Sequence, residues 1–122
     1  MTMQAMLLIY SDETAWAAKP KQEMGAVYGA YMAYTAALKE AGAFIAGDPL
    51  QPSATAHVLR PGAGGLQVLD GPYAETKEQL AGYYLIEVPD MEAAMVWAAR
   101  CPGATHGVLE VRPVQQMGPP PA

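Results

Sequence analysis

The residues best suited to chemistry are gathered in one stretch, Asp70-Gly-Pro-Tyr-Ala-Glu-Thr-Lys-Glu-Gln-Leu-Ala-Gly82. It carries carboxylates at Asp70, Glu75 and Glu78, a phenol at Tyr73 and an ammonium at Lys77. A carboxylate can act as general base and a phenol can donate a proton or a hydrogen bond. Glu75, Lys77 and Glu78 are either a solvated charge run or a short helical turn capped by Thr76, or Glu75 and Lys77 together fix a polar ligand through charge-assisted bonds. Their i, i+2 spacing puts them on one face only if the segment is extended. Each residue also has a plainer role. Asp70 is either an Asx-type turn residue or a base at a pocket mouth. Tyr73 is either a ring wedged into the core or a pocket donor. Asp48, just before Pro49, is either a turn residue or a pocket carboxylate facing Asp70 or Tyr10. If two acids shared a site, one would titrate high, as acid/base work requires.

The remaining reactive side chains fit no site pattern. Cys101 precedes Pro102 at an expected helix end, with neither His nor Asn close in sequence, and reads as a structural thiol. His57 reads as a surface residue of a strand, and His106 sits in a loop before Gly107. With Cys101 and the acids they give no metal-ligand spacing. Neither a metal nor a cofactor is expected.

Long polar loops need rigid elements to hold them. Residues 3–10 read as a strand, apolar on both pleat faces: Met6, Leu8 and Tyr10 on one, Leu7 and Ile9 on the other. Residues 11–19 read as a loop. Pro20 opens a helix whose stripe runs through Met24, Val27, Tyr28, Tyr31, Leu38 and Ala41, with Gly42 past its end. Gly25 and Gly29 in this helix leave room for a neighbouring backbone. Residues 43–46 read as a second strand. Alternating runs at Ala54–Arg60 and Leu66–Asp70 form an inserted hairpin about a loose, glycine-rich turn. Gly82–Val88 is another strand apolar on both faces. Asp90 caps a second helix whose stripe is Met91, Ala94, Met95 and Ala98, and Val108–Pro113 is the last strand. Residues 1–116 form one domain, and residues 117–122 (Met-Gly-Pro-Pro-Pro-Ala) are expected to fray.

This order, β-α-β, hairpin, β-α-β, suits a split βαβ sheet with both helices on one face. The other face would then meet water, yet residues 6–10 and 83–88 are apolar on both sides. A second subunit covering that face, sheet against sheet, resolves the conflict. Composition agrees: 52% of residues are hydrophobic and only 16% charged, which leaves little polar surface for a small monomer. Net charge is −5 and no cluster of Lys and Arg occurs, so nucleic acid is not an expected partner. No apolar run reaches the ~18 residues of a membrane span. A single cysteine suits a reducing compartment, and the chain is expected to be soluble and cytoplasmic.

Asp70-Gly71-Pro72-Tyr73, with the polar residues after it, resembles the DGPF signature of the YCII-related (DGPF-domain) proteins, with Tyr in place of Phe. Three further segments match in order: Ala46–Pro52, Ala98–Pro102 and Glu110–Val114. The resemblance spans roughly residues 4–114. It implies a ferredoxin-like βαββαβ fold, here with the inserted hairpin, that dimerises into an α/β barrel. The wider superfamily includes muconolactone isomerase-like, dehalogenase-like, monooxygenase-like and haem-handling proteins. DGPF members are often encoded beside extracytoplasmic-function sigma factors. Shorter YCII proteins carry a His in the first helix, paired with an Asp. The matching stretch here, Gly29-Ala30-Tyr31-Met32, has none, so that dyad does not carry over.

Two functions of different class follow. The leading one is binding, with turnover if carboxylate and tyrosine chemistry supports it, of a small organic molecule beside residues 70–82. Asp70 would be the catalytic carboxylate, and Tyr73, Glu75, Lys77, Asp48 and Tyr10 the ligand-binding groups. The alternative is a non-enzymatic dimeric regulator tied to such sigma factors.

Overall fold

The computed structural model describes residues 1–118; residues 119–122 of the segment expected to fray lie outside them. Six strands and four helices follow in chain order: β1 (Met3–Ser11), α1 (Glu13–Ala17), α2 (Lys21–Glu40), β2 (Phe44–Pro49), β3 (His57–Gly62), β4 (Gly65–Asp70), β5 (Gln79–Val88), α3 (Met91–Arg100), α4 (Gly103–His106) and β6 (Val108–Pro113). Strands β2-β5-β1-β6 form one sheet and β3-β4 a separate ribbon. Every neighbouring pair is antiparallel. The protein is α+β, and the strand order is compatible with a ferredoxin-like fold.

Strand alternation decides which side chains enter the core. On β1 these are Ala5, Leu7 and Ile9, and on β5 Tyr84, Ile86 and Val88. They meet Tyr34 and Leu38 of α2, Ala94 and Ala98 of α3, and Cys101. The buried tyrosines bring their hydroxyls to partners: Tyr34 donates to the Trp97 carbonyl at 2.7 Å, and Tyr84 shares a 2.7 Å bond with Thr35. The tyrosine rings meet edge to face, 5.3 Å apart.

Among the described residues, no helix packs on the opposite sheet face. Met6, Leu8, Tyr10, Tyr83 and Leu85 are half-buried there, as expected from strands apolar on both faces. The register sets Leu85 and Arg112 on either side of Met6, and Tyr83 and Glu110 on either side of Leu8.

Several local expectations change. Residues 11–19 are not all loop, because α1 forms within them. The Asp12 carboxylate caps it, accepting from Thr14 N at 3.0 Å and Ala15 N at 3.2 Å. Trp16 then packs edge to face on Tyr28 of α2, 5.8 Å between centroids. Ser53–Thr55 is a 3-10 turn, so the ribbon starts at His57 rather than Ala54. The glycine-rich turn is tight, because pairing continues to Gly62↔Gly65 and leaves two loop residues, Ala63 and Gly64. A Cβ at Gly25 or Gly29 would meet nothing within 4 Å, so among the described residues no neighbouring element's backbone approaches either glycine. Met95 lies outside the α3 core stripe and is exposed. The helix signals at Asp90 and Gly42 hold: Asp90 accepts from Ala93 N at 2.8 Å, and Gly42 takes the positive φ of 72° that ends α2.

Cys101 is fully buried. Burial pushes its thiol up, and the backbone N–H groups of Gly103 and Ala104 offset this only in part. Burial likewise raises Tyr31, Tyr34 and Tyr84. For all four the folded state favours the neutral form. Their contribution to stability is complete below the unfolded values and is lost as pH rises through the folded ones. The urea midpoint should therefore fall between pH 8 and pH 11, steepening above the ordinary values of 9.0 for the thiol and 10.0 for the phenols. A midpoint constant over that range would contradict it. In the same way, native protein at pH 8 should leave Cys101 unreacted with a thiol reagent until urea unfolds it.

Candidate functional site

A cleft of about 340 Å³ opens beside the segment joining β4 to β5. Three pieces of chain wall it. Asp12, Glu13 and Thr14 come from the start of α1, Ser53 and Ala54 from the 3-10 turn, and Pro72, Glu75, Thr76, Lys77 and Gln79 from residues 72–79. The first two walls are tied together. One Glu13 carboxylate oxygen accepts from Ser53 N at 2.7 Å, and the other accepts from the Ser53 hydroxyl in a short bond. The third wall braces itself. Gln79 donates its side-chain amide to the Ala74 carbonyl at 2.8 Å and the Thr76 carbonyl at 3.0 Å. The Thr76 hydroxyl donates to the Glu78 carbonyl at 2.5 Å.

This bracing decides which polar groups remain for a ligand. Asp12 is engaged in capping and Glu13 in holding Ser53. Among the described residues, Glu75 and Lys77 are the charged side chains on the cleft that take part in no ion pair or side-chain hydrogen bond. One offers an acceptor and the other a cation, on one short wall that bends at residues 73–74 and 77–78.

The other sequence candidates are placed elsewhere. Asp70 ends β4 opposite His57, and its carboxylate lies 2.9 Å from His57 Nδ1. Both side chains are largely exposed, and neither lines the cleft. Tyr73 is 80% exposed, so its ring is not wedged into the core. Tyr10 and Asp48 both lie on the open sheet face. Asp48 faces neither Asp70 nor Tyr10; it accepts from the Tyr83 hydroxyl at 3.0 Å. Tyr10 donates to Glu110 at 3.3 Å. The Asp48 bond and charge hold the Tyr83 phenol up. Tyr10 is raised by desolvation first and by Glu110 second. The structure thus brings Glu75 and Lys77 together on the cleft, sets Asp48 and Tyr10 on the open face, and leaves Asp70 with a histidine on the ribbon.

The YCII-related domain model matches residues 3–118, nearly the whole chain. The chain belongs to the YCII-related family. It is also 38% identical over 110 residues to protein R00369 of Rhizobium meliloti (strain 1021), itself uncharacterized, covering 88% of this chain and 89% of that one. The cleft wall at residues 72–79 therefore lies in and just after the segment that resembles the family's DGPF signature.

Sequence reasoning missed the two cleft walls outside residues 72–79, which hold Asp12, Glu13, Thr14, Ser53 and Ala54. The signal for Asp12 was present, since Ser-Asp-Glu-Thr is a helix-start pattern. The link between Glu13 and Ser53 spans 40 positions and has no local signature. The pairing of His57 with Asp70 was readable from the ribbon register once the turn is set at Ala63-Gly64. Among the described residues, no three His, Cys, Asp or Glu side chains converge as metal ligands would. No helix described is long and apolar enough to cross a membrane.

Proposed function

We propose that this YCII-related protein binds a small polar organic molecule in the cleft, as a homodimer joined sheet against sheet in an α/β barrel. The carrying observation is the pair Glu75 and Lys77, left unengaged on a cleft whose other charged side chains, Asp12 and Glu13, each already accept hydrogen bonds. Lys77 suits an anionic group such as a carboxylate, and Glu75 suits an amine or hydroxyl donor. Hydroxy acids and amino acids carry both. The volume lies at the lower end of small-molecule sites, which span ~300–1,000 Å³. The half-buried apolar row on the helix-free sheet face supports the dimer.

Any chemistry on the bound molecule would fall to Glu75 as proton acceptor, since Asp70 does not line the cleft. A thermal-shift and calorimetric screen of small hydroxy and amino acids tests the binding. Lys77→Ala should keep the unliganded melting temperature, because Lys77 is exposed, and should weaken the best wild-type binder about tenfold. Equal affinity in wild type, Lys77→Ala and Glu75→Gln would refute this use of the cleft. Capture of a sigma factor with no small-molecule binding would favour the regulatory alternative.

A further inference from the structure

The cleft lining is unbalanced in charge. It holds three carboxylates, Asp12, Glu13 and Glu75, against one ammonium, Lys77, a formal charge of −2. The chain as a whole carries the same sign, at −5. Lys19 does not correct the imbalance, since its ammonium is 3.9 Å from Glu23 and it does not line the cleft. A cleft with a surplus of one sign attracts ligands of the other and repels those of its own.

The three carboxylates differ in what they have left for a ligand. Both oxygens of Glu13 are taken by Ser53. Asp12 uses only Oδ1 for the α1 cap, where it accepts from Thr14 N and Ala15 N. Among the described residues its Oδ2 accepts no hydrogen bond, so Asp12 joins Glu75 as an acceptor open to a ligand, on a different wall. The acids are also spread apart. Among the described residues no three of His, Cys, Asp and Glu converge as metal ligands would, so a compact cation finds no nest here. A molecule with two separated amines can reach both open carboxylates.

We propose that the cleft selects a basic amino acid, with its carboxylate on Lys77, one amine on Glu75 and a second amine on Asp12 Oδ2. The proposal rests on the cleft reading above and narrows it from hydroxy and amino acids at large to a ligand of net positive charge. A hydroxy acid is a net anion; it satisfies Lys77 but is repelled by the surplus carboxylates. A neutral amino acid balances Glu75 and Lys77 and leaves Asp12 and Glu13 uncompensated. A diamine suits the acids but sets its own positive charge against Lys77. One charge pair ~6 Å apart near a protein surface changes affinity about tenfold, so each step in ligand charge is large enough to measure.

The test is calorimetry on the full chain at low salt with four probes: ornithine, alanine, lactate and putrescine. Ornithine should bind at least tenfold tighter than each of the others, and its lead should shrink as salt is added. Asp12→Asn removes the charge and keeps a capping oxygen, since Asn caps as well as Asp. It should weaken ornithine about tenfold and leave alanine unchanged. If that variant melts early, Ala54→Lys supplies the same readout. Ala54 is exposed on the cleft lining, and an ammonium there leaves the α1 cap intact. Ornithine should then weaken and lactate should gain. Alanine, lactate or putrescine binding as tightly as ornithine in wild type, or ornithine affinity unchanged in both variants, would overturn the selectivity while leaving the cleft a ligand site. Failure of all four probes to bind would overturn the site as well.

Discussion

Gly107→Ala should be the most damaging single-methyl change in the protein. Gly107 joins α4 to β6, next to the point where Val108 pairs with Tyr10 of β1. A Cβ there would sit 2.1 Å from the Tyr10 carbonyl oxygen, a backbone atom of a central strand. A flexible side chain could move aside, but this strand cannot without breaking the sheet. Overpacking typically costs ~1–3 kcal/mol and more when backbone must shift, so about 3 kcal/mol is expected. On a domain with a total of ~5–15 kcal/mol, this should lower the melting temperature by about 10 °C or more. Gly29→Ala is the matched control. It lies within α2 with nothing within 4 Å, and should stabilise by up to ~1 kcal/mol. Melting curves on both variants check this; equal behaviour would contradict the packing described.

Glu13→Ala should cost less stability but more function. Its carboxylate holds both the backbone N–H and the hydroxyl of Ser53, and so joins α1 to the 3-10 turn. Hydrogen bonds to a charged group are worth ~1.5–3 kcal/mol. These are part-buried, so a loss of about 1–2 kcal/mol is expected. The larger effect should fall on the cleft, whose first two walls are no longer joined. Affinity for a cleft ligand should drop at least tenfold, although Glu13 itself has no lone carboxylate oxygen free for that ligand. Glu13→Gln, which keeps one acceptor, should lie between. Unchanged affinity in Glu13→Ala would mean that the wall geometry does not matter.

What the sequence made legible follows the range of the forces involved. Strands β1, β5 and β6 were readable because their short apolar runs are strong and local. The Asp90 cap and the positive-φ Gly42 were readable because capping is chemistry within a few residues. Helix α1 escaped because five residues hold too little periodicity; its anchor is the contact of Trp16 on Tyr28, a tertiary fact. Glu75 and Lys77 were legible as a polar wall, because residues two apart in a short segment stay close in space whatever its local bends. The bonds of Glu13 with Ser53 and of Asp48 with Tyr83 depend on how distant segments are set together, one of them beside a bulge in β2. Tyr73 misled because an aromatic in a family motif suggests a core wedge, while its backbone carries it outward.

Crystals of the protein soaked with a mixture of small hydroxy acids and amino acids test the binding site most directly. Ordered density is expected in the cleft, with an anionic group within hydrogen-bond distance of Lys77 Nζ and a donor on the Glu75 carboxylate. Density found only at the His57–Asp70 pair or on the sheet face, with the cleft holding solvent alone, would contradict it.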